Sequence, residues 1–263
     1  MKALLSVFRM RWREEFQYRG AVIGGILCQI FFGLVLISVY RAMYESRPQT
    51  LPLENVVTYV WLQQAFFRML FASDGELADK IRSGGIAYDL CRPLDAYGYY
   101  YVRGMAQRSV GSMLRCIPML AVAVLLPAGW GLRAPASLPA LIYAFISLLF
   151  GLLCVCAVDS IGNGFTIRTL DPRGIRTVIE MLMMSFSGNV LPLTLFPDTW
   201  QYVIRLLPFA QLLDAPIRIY TGAAALNEIA GIWAVQLGWT ALLILTGRAL
   251  WRGNRKRLVL QGG

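Results

Sequence analysis

Side chains able to do covalent, acid–base or metal chemistry are scarce in this chain of 263 residues, which has no histidine and five cysteines. Without an imidazole there is no histidine ligand, triad base or histidine proton relay. Lysine occurs only at Lys2, Lys80 and Lys256, followed by Ala3, Ile81 and Arg257. A phosphate-cradling loop needs a lysine followed by Ser or Thr, so the chain does not bind ATP that way. Cys28, Cys116, Cys154 and Cys156 fall in apolar stretches, where thiols pack as small hydrophobes. Cys154 and Cys156 form a CxC with no second cysteine pair nearby, and both are read as packing rather than as a metal site.

The carboxylates offer one metal motif, and it fails. Asp74-Gly75-Glu76-Leu77-Ala78 resembles the start of the aspartate-rich motif with which membrane alcohol phosphotransferases hold divalent metal. Phe71 stands where that motif needs an aspartate, Asp79 replaces its arginine, and Pro93 takes the place of its last aspartate. The remaining ionisable groups must act by position, by pairing, docking or lining a path. The elements that hold them decide which.

Those elements are membrane helices. The chain is 57% apolar and 15% charged, with a mean hydropathy of +0.55, against about 25% charged for a soluble domain. The deficit is concentrated in long uncharged runs, which predict an all-α membrane protein of six transmembrane helices near 21–40, 55–73, 105–131, 134–158, 177–196 and 229–247. The second, third and fifth carry ionisable residues. Arg68 lies near a span end and can snorkel, Arg115 can face protein, and Glu180 sits at the start of the fifth. Lys and Arg in the N-terminal segment, the second and fourth loops and the tail number 18, against five on the other side. Both termini are therefore expected to be cytoplasmic in a cell (inner) membrane protein, and the net charge of +10 follows from topology and anionic lipid, without nucleic acid. No repeat or cleavable signal is read, and 1–263 is taken as one domain.

Three segments lie outside the spans. In residues 1–19, Leu4, Phe8, Trp12 and Phe16 recur every four residues with Arg9, Arg13 and Gln17 beside them, which predicts a basic amphipathic helix on the inner leaflet. Its exposed edge, including Arg13, Glu14 and Glu15, is a candidate partner contact. The second loop, 74–103, mixes Glu76, Asp79 and Asp89 with Lys80, Arg82 and Arg92, is broken at Ser83-Gly84-Gly85, and stops at Arg92-Pro93. Exposed Ile86, Tyr88 and Leu90 would make it a docking surface, unless it folds back on its own helices. Tyr97, Tyr99, Tyr100 and Tyr101 then mark re-entry at the headgroup level.

The external stretch 191–222 is divided by Pro192, Pro197, Pro208 and Pro216 into two short apolar helices, the first with Trp200, Val203, Ile204 and Leu207 on one face. Each is too short to cross a bilayer, so the stretch reads either as a hairpin re-entering the outer leaflet, a lid over a pathway, or as a surface loop. Arg115, Asp159, Asn163, Glu180 and Asn189 are the polar groups that line a path or else bond helices together. Gly20-xxx-Gly24 permits close helix approach.

Together these features resemble the permease subunit of a type-2 ABC (ABC-2) exporter. Gly85-Ile86-Ala87-Tyr88-Asp89-Leu90-Cys91-Arg92-Pro93-Leu94 is similar to the second-loop signature of one ABC-2 branch. Val190-Leu191-Pro192-Leu193, Phe196-Pro197, Leu207-Pro208-Phe209 and Pro216 through Gly222 are similar to its external hairpin. The resemblance implies two permeases, identical or different, working with two separate ABC ATPase subunits that hold ATP and magnesium. This chain then has no cofactor and no catalysis of its own. It also implies ATPase coupling through the interface helix and Glu76 to Pro93, and export of a small amphipathic, drug or lipid-like substrate by alternating access. An ATP-independent carrier or scaffold, and more remotely a lipid-modifying membrane enzyme, remain as alternatives.

Overall fold

The structure is a computed structural model that describes residues 2–17, 19–46, 52–71, 75–169, 173–190 and 192–255. Leu191, Lys256, Arg257 and the side chain of Arg82 lie outside the described residues. The helices in chain order are α1 (Lys2–Glu15), α2 (Arg19–Ser46), α3 (Leu53–Leu70), α4 (Glu76–Arg82), α5 (Ile86–Leu90), α6 (Ala96–Leu125), α7 (Leu138–Thr169), α8 (Arg173–Phe186), α9 (Asp198–Leu206), α10 (Asp214–Thr221) and α11 (Ile229–Arg255). No strand occurs among the described residues. That is the outcome expected where lipid offers the backbone no hydrogen-bond partner.

Four helices among the described residues are long and apolar enough to cross a membrane: Gly20–Ser46, Ala96–Leu125, Leu138–Thr169 and Leu226–Asn254. They correspond to the first, third, fourth and sixth expected spans. The other two differ for physical reasons. The 18 residues of α3 reach about 27 Å, and include Glu54, Gln63, Gln64 and Arg68. Most of α3 is buried by protein, so it has less need of an apolar surface. The 14 residues of α8 reach only about 21 Å and end at Phe186, where the chain turns through Gly188 at φ +80°.

Helices α7 and α11 form the spine. Gln236 of α11 accepts from Ser147 Oγ at 3.0 Å and donates to the Ser147 carbonyl at 3.1 Å. Farther along, Trp251 Nε1 donates to the Ser160 carbonyl at 3.1 Å and Asn254 Nδ2 to the Gly164 carbonyl at 2.8 Å. On the other side α2, α3 and α6 pack around Trp61, which is fully buried and donates to the Trp130 carbonyl at 2.7 Å. The opposite face of α2, with Ile23, Leu27, Phe31, Phe32 and Val39, is exposed and suits lipid. Gly20 and Gly24 bring no helix close, since a Cβ at either would meet nothing within 4 Å. The close approaches of α2 are instead at Gly25, against Arg115, and Gly33, against Trp61.

The proline-broken stretch folds inward as two helices, α9 and α10, with the connecting turn against α7. A Cβ on Gly151 would lie 2.5 Å from the Leu212 carbonyl oxygen, and Gly151 is about 20 Å along α7 from Leu138. At its other end α10 returns to the start of α7, where the Ala136 N–H donates to the Tyr220 carbonyl at 3.0 Å. Gly151→Ala is therefore expected to destabilise the fold by about 1–3 kcal/mol through overpacking. This would be read as an earlier unfolding midpoint of the purified protein, and an unchanged midpoint would refute the contact.

Candidate functional site

The segment between α3 and α6 folds into a small elbow. Gly75, with φ +73°, precedes α4, and Gly84, with φ +72°, supplies the break before α5. Five residues cannot hold a helix alone. α5 is fixed because Ile86 enters an apolar cluster with Val7 of α1, Leu77 and Ile81 of α4, Tyr97, Tyr99 and Tyr100 of α6, Ile167 of α7 and Trp251 of α11. The tyrosines therefore point inward: Tyr97 and Tyr100 meet the Trp251 ring at 6.0 and 5.6 Å.

Ion pairs continue this junction. Asp89, only 5% exposed, accepts from Lys80 Nζ at 2.7 Å and Tyr100 Oη at 2.8 Å, with Arg92 Nε at 3.6 Å. Lys80 also meets Glu76 at 3.1 Å, Glu76 accepts from Arg103 Nε at 2.6 Å, and Arg103 reaches Glu14 of α1 at 3.4 Å. An unbroken chain of charges thus joins α1, α6, α4 and α5. Burial pushes the Asp89 carboxyl up, but the hydrogen bonds from Lys80 and Tyr100 and the charges of Lys80 and Arg92 outweigh it. Its pKa ends below the ordinary 3.8. Burial lowers Lys80, yet its bonds to Asp89 and Glu76 carry it above 10.5.

The expected docking residues divide accordingly. Ile86 is buried and Leu90 half-buried, which corrects the expectation that both are exposed. Glu14 and Glu15 both pair within α1 with Arg11, at 3.0 Å each, the Glu15 side chain 13% exposed and that of Glu14 37%. Arg13 is exposed, while Phe8 and Trp12 are half-buried with their rings tilted at 37° and centroids 5.4 Å apart. What the elbow presents outward is Asp79, Tyr88 at 79% exposure, Cys91, Arg92 and Pro93. Arg92 lies over the Tyr99 ring at 5.4 Å, which stiffens the tip.

Beside the elbow, α6, α7 and α8 enclose a narrow polar cleft lined by Arg108, Asp159, Asn163, Arg176 and Glu180. It continues past Asp159 and Asn163 to Glu76, Tyr100 and Arg103. Arg108 is 2% exposed and pairs with Asp159 at 3.4 Å. Three of the five expected pathway residues thus meet in one place. Arg115 lies apart, against α2, and Asn189 is buried in the turn after α8.

The hairpin's interrupted backbone is satisfied by side chains. Gln201 Nε2 donates to the Phe196 carbonyl at 2.6 Å, Trp239 Nε1 to Leu206 at 2.7 Å and Gln236 Nε2 to Gln211 at 2.8 Å, while Gln211 reaches the Arg205 carbonyl and Gln63 that of Gly188. Pro192, Pro208 and Pro216 are buried, Pro197 is exposed, and Trp200 stands 63% exposed beside Val203, leaving Ile204 as the inward residue of α9.

A protein-family model described as ABC-2 family transporter protein matches residues 25–262. The chain belongs to the ABC-2 transporter family. Comparison with curated proteins gives no match. An ABC-2 chain is a membrane permease of an ABC transporter, and the family works with ABC ATPase subunits. The matched segment contains the elbow, the cleft and the hairpin.

The permease also holds a polar cluster that sequence reading passed over. Asp214 is fully buried on α10, accepting from Tyr59 Oη at 2.9 Å and Arg218 Nε at 2.8 Å. Arg218 is one of the five basic residues that the sequence places on the external side. The available signal was the i, i+4 spacing of opposite charges within an apolar stretch.

Proposed function

We propose that this ABC-2 permease is half of an ATP-driven exporter, with both termini and the α4–α5 elbow on the cytoplasmic side of the cell membrane, and that the elbow receives the ATPase stroke. The observation that carries this reading is the elbow's construction. A stiff exposed tip at Tyr88, Cys91, Arg92 and Pro93 is wired by ion pairs to α1 and α6. A push on the tip then moves helices rather than a loose loop. ATP and magnesium belong to the partner subunits. Their closure can bias the permease only through contacts that differ between its inward- and outward-facing states.

In the same reading α3 and α8 complete six spans, their polar or short character tolerated because neighbouring helices and the hairpin cover them. The α8 face with Val178, Met181 and Met184 is exposed and would meet the second permease across a shared path. Between α3, α6, α7 and α10 lies an apolar pocket of about 220 Å³ lined by Leu62, Phe66, Leu120, Phe145, Leu213 and Ile217. This supports an amphipathic or lipid-like cargo. The hairpin, anchored to α7 and α11, gates its outward release.

Cys91 provides a test without substitution. It is exposed at the elbow tip, whereas Cys28 faces lipid and Cys154 and Cys156 are buried. A membrane-impermeant maleimide should label Cys91 in inside-out vesicles only, and co-expressed ATPase should protect it. Labelling from outside, or ATP-independent transport by the purified permease, would overturn the proposal.

A further inference from the structure

Where α1 packs on the bundle, on the other side of Gln107 from the polar cleft, α1, α2, α3 and α6 leave a cavity of about 300 Å³. Its ionisable lining is Arg11 and Glu15 of α1, Arg68 of α3 and Arg115 of α6, with Gln107 and Gly111 beside them. Glu15 is bound to Arg11 at 3.0 Å, and Arg11 also pairs with Glu14 at 3.0 Å. Arg68 and Arg115 bring two guanidinium groups from other helices to the same space. Arg68 donates Nη1 to the Phe71 carbonyl at 2.6 Å and lies along Gly111, where a Cβ would come within 3.1 Å of its Cγ. Arg115 has its guanidinium pressed against α2, within 2.6 Å of where a Cβ on Gly25 would stand. Its Nε is buried without a hydrogen-bond partner among the described residues. A buried guanidinium donor beside two further arginines is what a phosphate group satisfies, through paired charge-assisted hydrogen bonds.

Depth identifies the source of that phosphate. Helix α2 has 28 residues and is about 42 Å long, so it overhangs a 30 Å hydrocarbon layer by about 6 Å at each end. Gly25 lies about 9 Å from the start of α2. Arg115 therefore meets α2 at the boundary between headgroups and acyl chains. Ala21 and Val22 of α2 and Leu114 of α6 complete the lining and give the cavity an apolar wall. A free anion would gain nothing from that wall.

We propose that this cavity binds the headgroup phosphate of one anionic phospholipid from the leaflet on the α1 side, held by Arg68 and Arg115, with Arg11 and Glu15 closing it from α1. The bound lipid ties the interface helix to α2, α3 and α6, the helices that α1 must move with. This site does not depend on the exporter reading, because lipid retention is measured without ATPase or cargo.

The full chain is reconstituted in phosphatidylcholine nanodiscs with and without phosphatidylglycerol, and the lipid retained after extraction is counted by native mass spectrometry. Phosphatidylglycerol should be retained in preference to phosphatidylcholine, and Arg68→Gln and Arg115→Gln should each weaken that preference about fivefold. Arg133→Gln, at the other end of the bundle, should not change it. Because damage to the fold also lowers retention, Glu15→Gln is the second arm. Removing the opposing charge should raise retention, a gain that misfolding does not produce. The proposal is overturned by equal retention of the two lipids, by unchanged retention in both arginine variants, by no gain in Glu15→Gln, or by inorganic phosphate raising the unfolding midpoint as far as the lipid does.

Discussion

Asp89→Ala is expected to leave the permease in the membrane, at a normal level, while abolishing cargo-stimulated ATP hydrolysis by the assembled transporter. The carboxylate is 5% exposed and is shared by Lys80, Tyr100 and Arg92. Its removal leaves a partly buried ammonium and a buried phenol without their acceptor, and breaking a buried pair costs about 3–5 kcal/mol. That cost falls on α5, whose five residues are otherwise held by Ile86 in the apolar cluster. The expected result is therefore a locally loosened tip rather than a globally unfolded chain. Arg92→Ala is the contrasting variant. Its side chain is 48% exposed, and its loss removes a surface charge while leaving the Lys80 bond intact, so a weaker defect is expected. Normal coupled transport by Asp89→Ala would defeat the coupling proposal.

The sign of the pH dependence follows from the same contacts. Asp89 is depressed below its ordinary value, so its contribution is fully present above pH 3.8 and is lost as pH falls through the lowered folded value. Lys80 is raised, so its contribution is complete below pH 10.5 and fades only as pH rises through the higher folded value. Coupling through the elbow should accordingly be flat from about pH 5 to 9. A titration within that window has to come from another group.

How much of this was legible depended on whether a residue's role was set by its own neighbours in sequence. The four long spans, the α1 helix, the Ser83-Gly84-Gly85 break and the paired hairpin helices all follow from local periodicity and turn chemistry, and they stand in the structure. The burial of Ile86 and the Glu14–Arg103 contact were not readable, because they depend on Tyr97, Trp251 and Arg103, which approach from far along the chain. α8 ends at Phe186 rather than near 196, whereas α3 has close to its expected length but is less apolar than a lipid-facing span for a related reason. A helix sheltered by protein escapes the hydropathy that lipid imposes, so Gln63 can sit in α3 and bond the Gly188 carbonyl. Within the cleft, Asp159, Asn163 and Glu180 were found by being polar in apolar surroundings. Arg108 was not, because nothing in its local sequence distinguishes a residue that goes on to bury itself beside Asp159.

Asp214→Ala should be the most damaging single change in the hairpin, and its repair by a second substitution is the sharper prediction. α10 is buried along nearly its whole length, and its Asp214 is the acceptor for both Arg218 and Tyr59. With the carboxylate gone, a guanidinium only 7% exposed and a phenol 3% exposed keep their desolvation and lose their partner. A loss of about 3–5 kcal/mol is expected, a large part of the roughly 5–15 kcal/mol that separates folded from unfolded chains. The membrane level of the protein and its unfolding midpoint should both drop. Replacing the pair together, as Asp214→Leu with Arg218→Met, removes both charges and should recover much of the midpoint, since well-packed apolar side chains often substitute for a buried ion pair without cost. Transport separates structure from gating in that double variant. A recovered midpoint with restored export would assign the pair to holding α10 against α3 and α7, whereas a recovered midpoint with export still absent would place the charges in the outward release step. A single Asp214→Ala protein as stable as the parent would show that Arg218 finds another acceptor, and the buried cluster would lose its role.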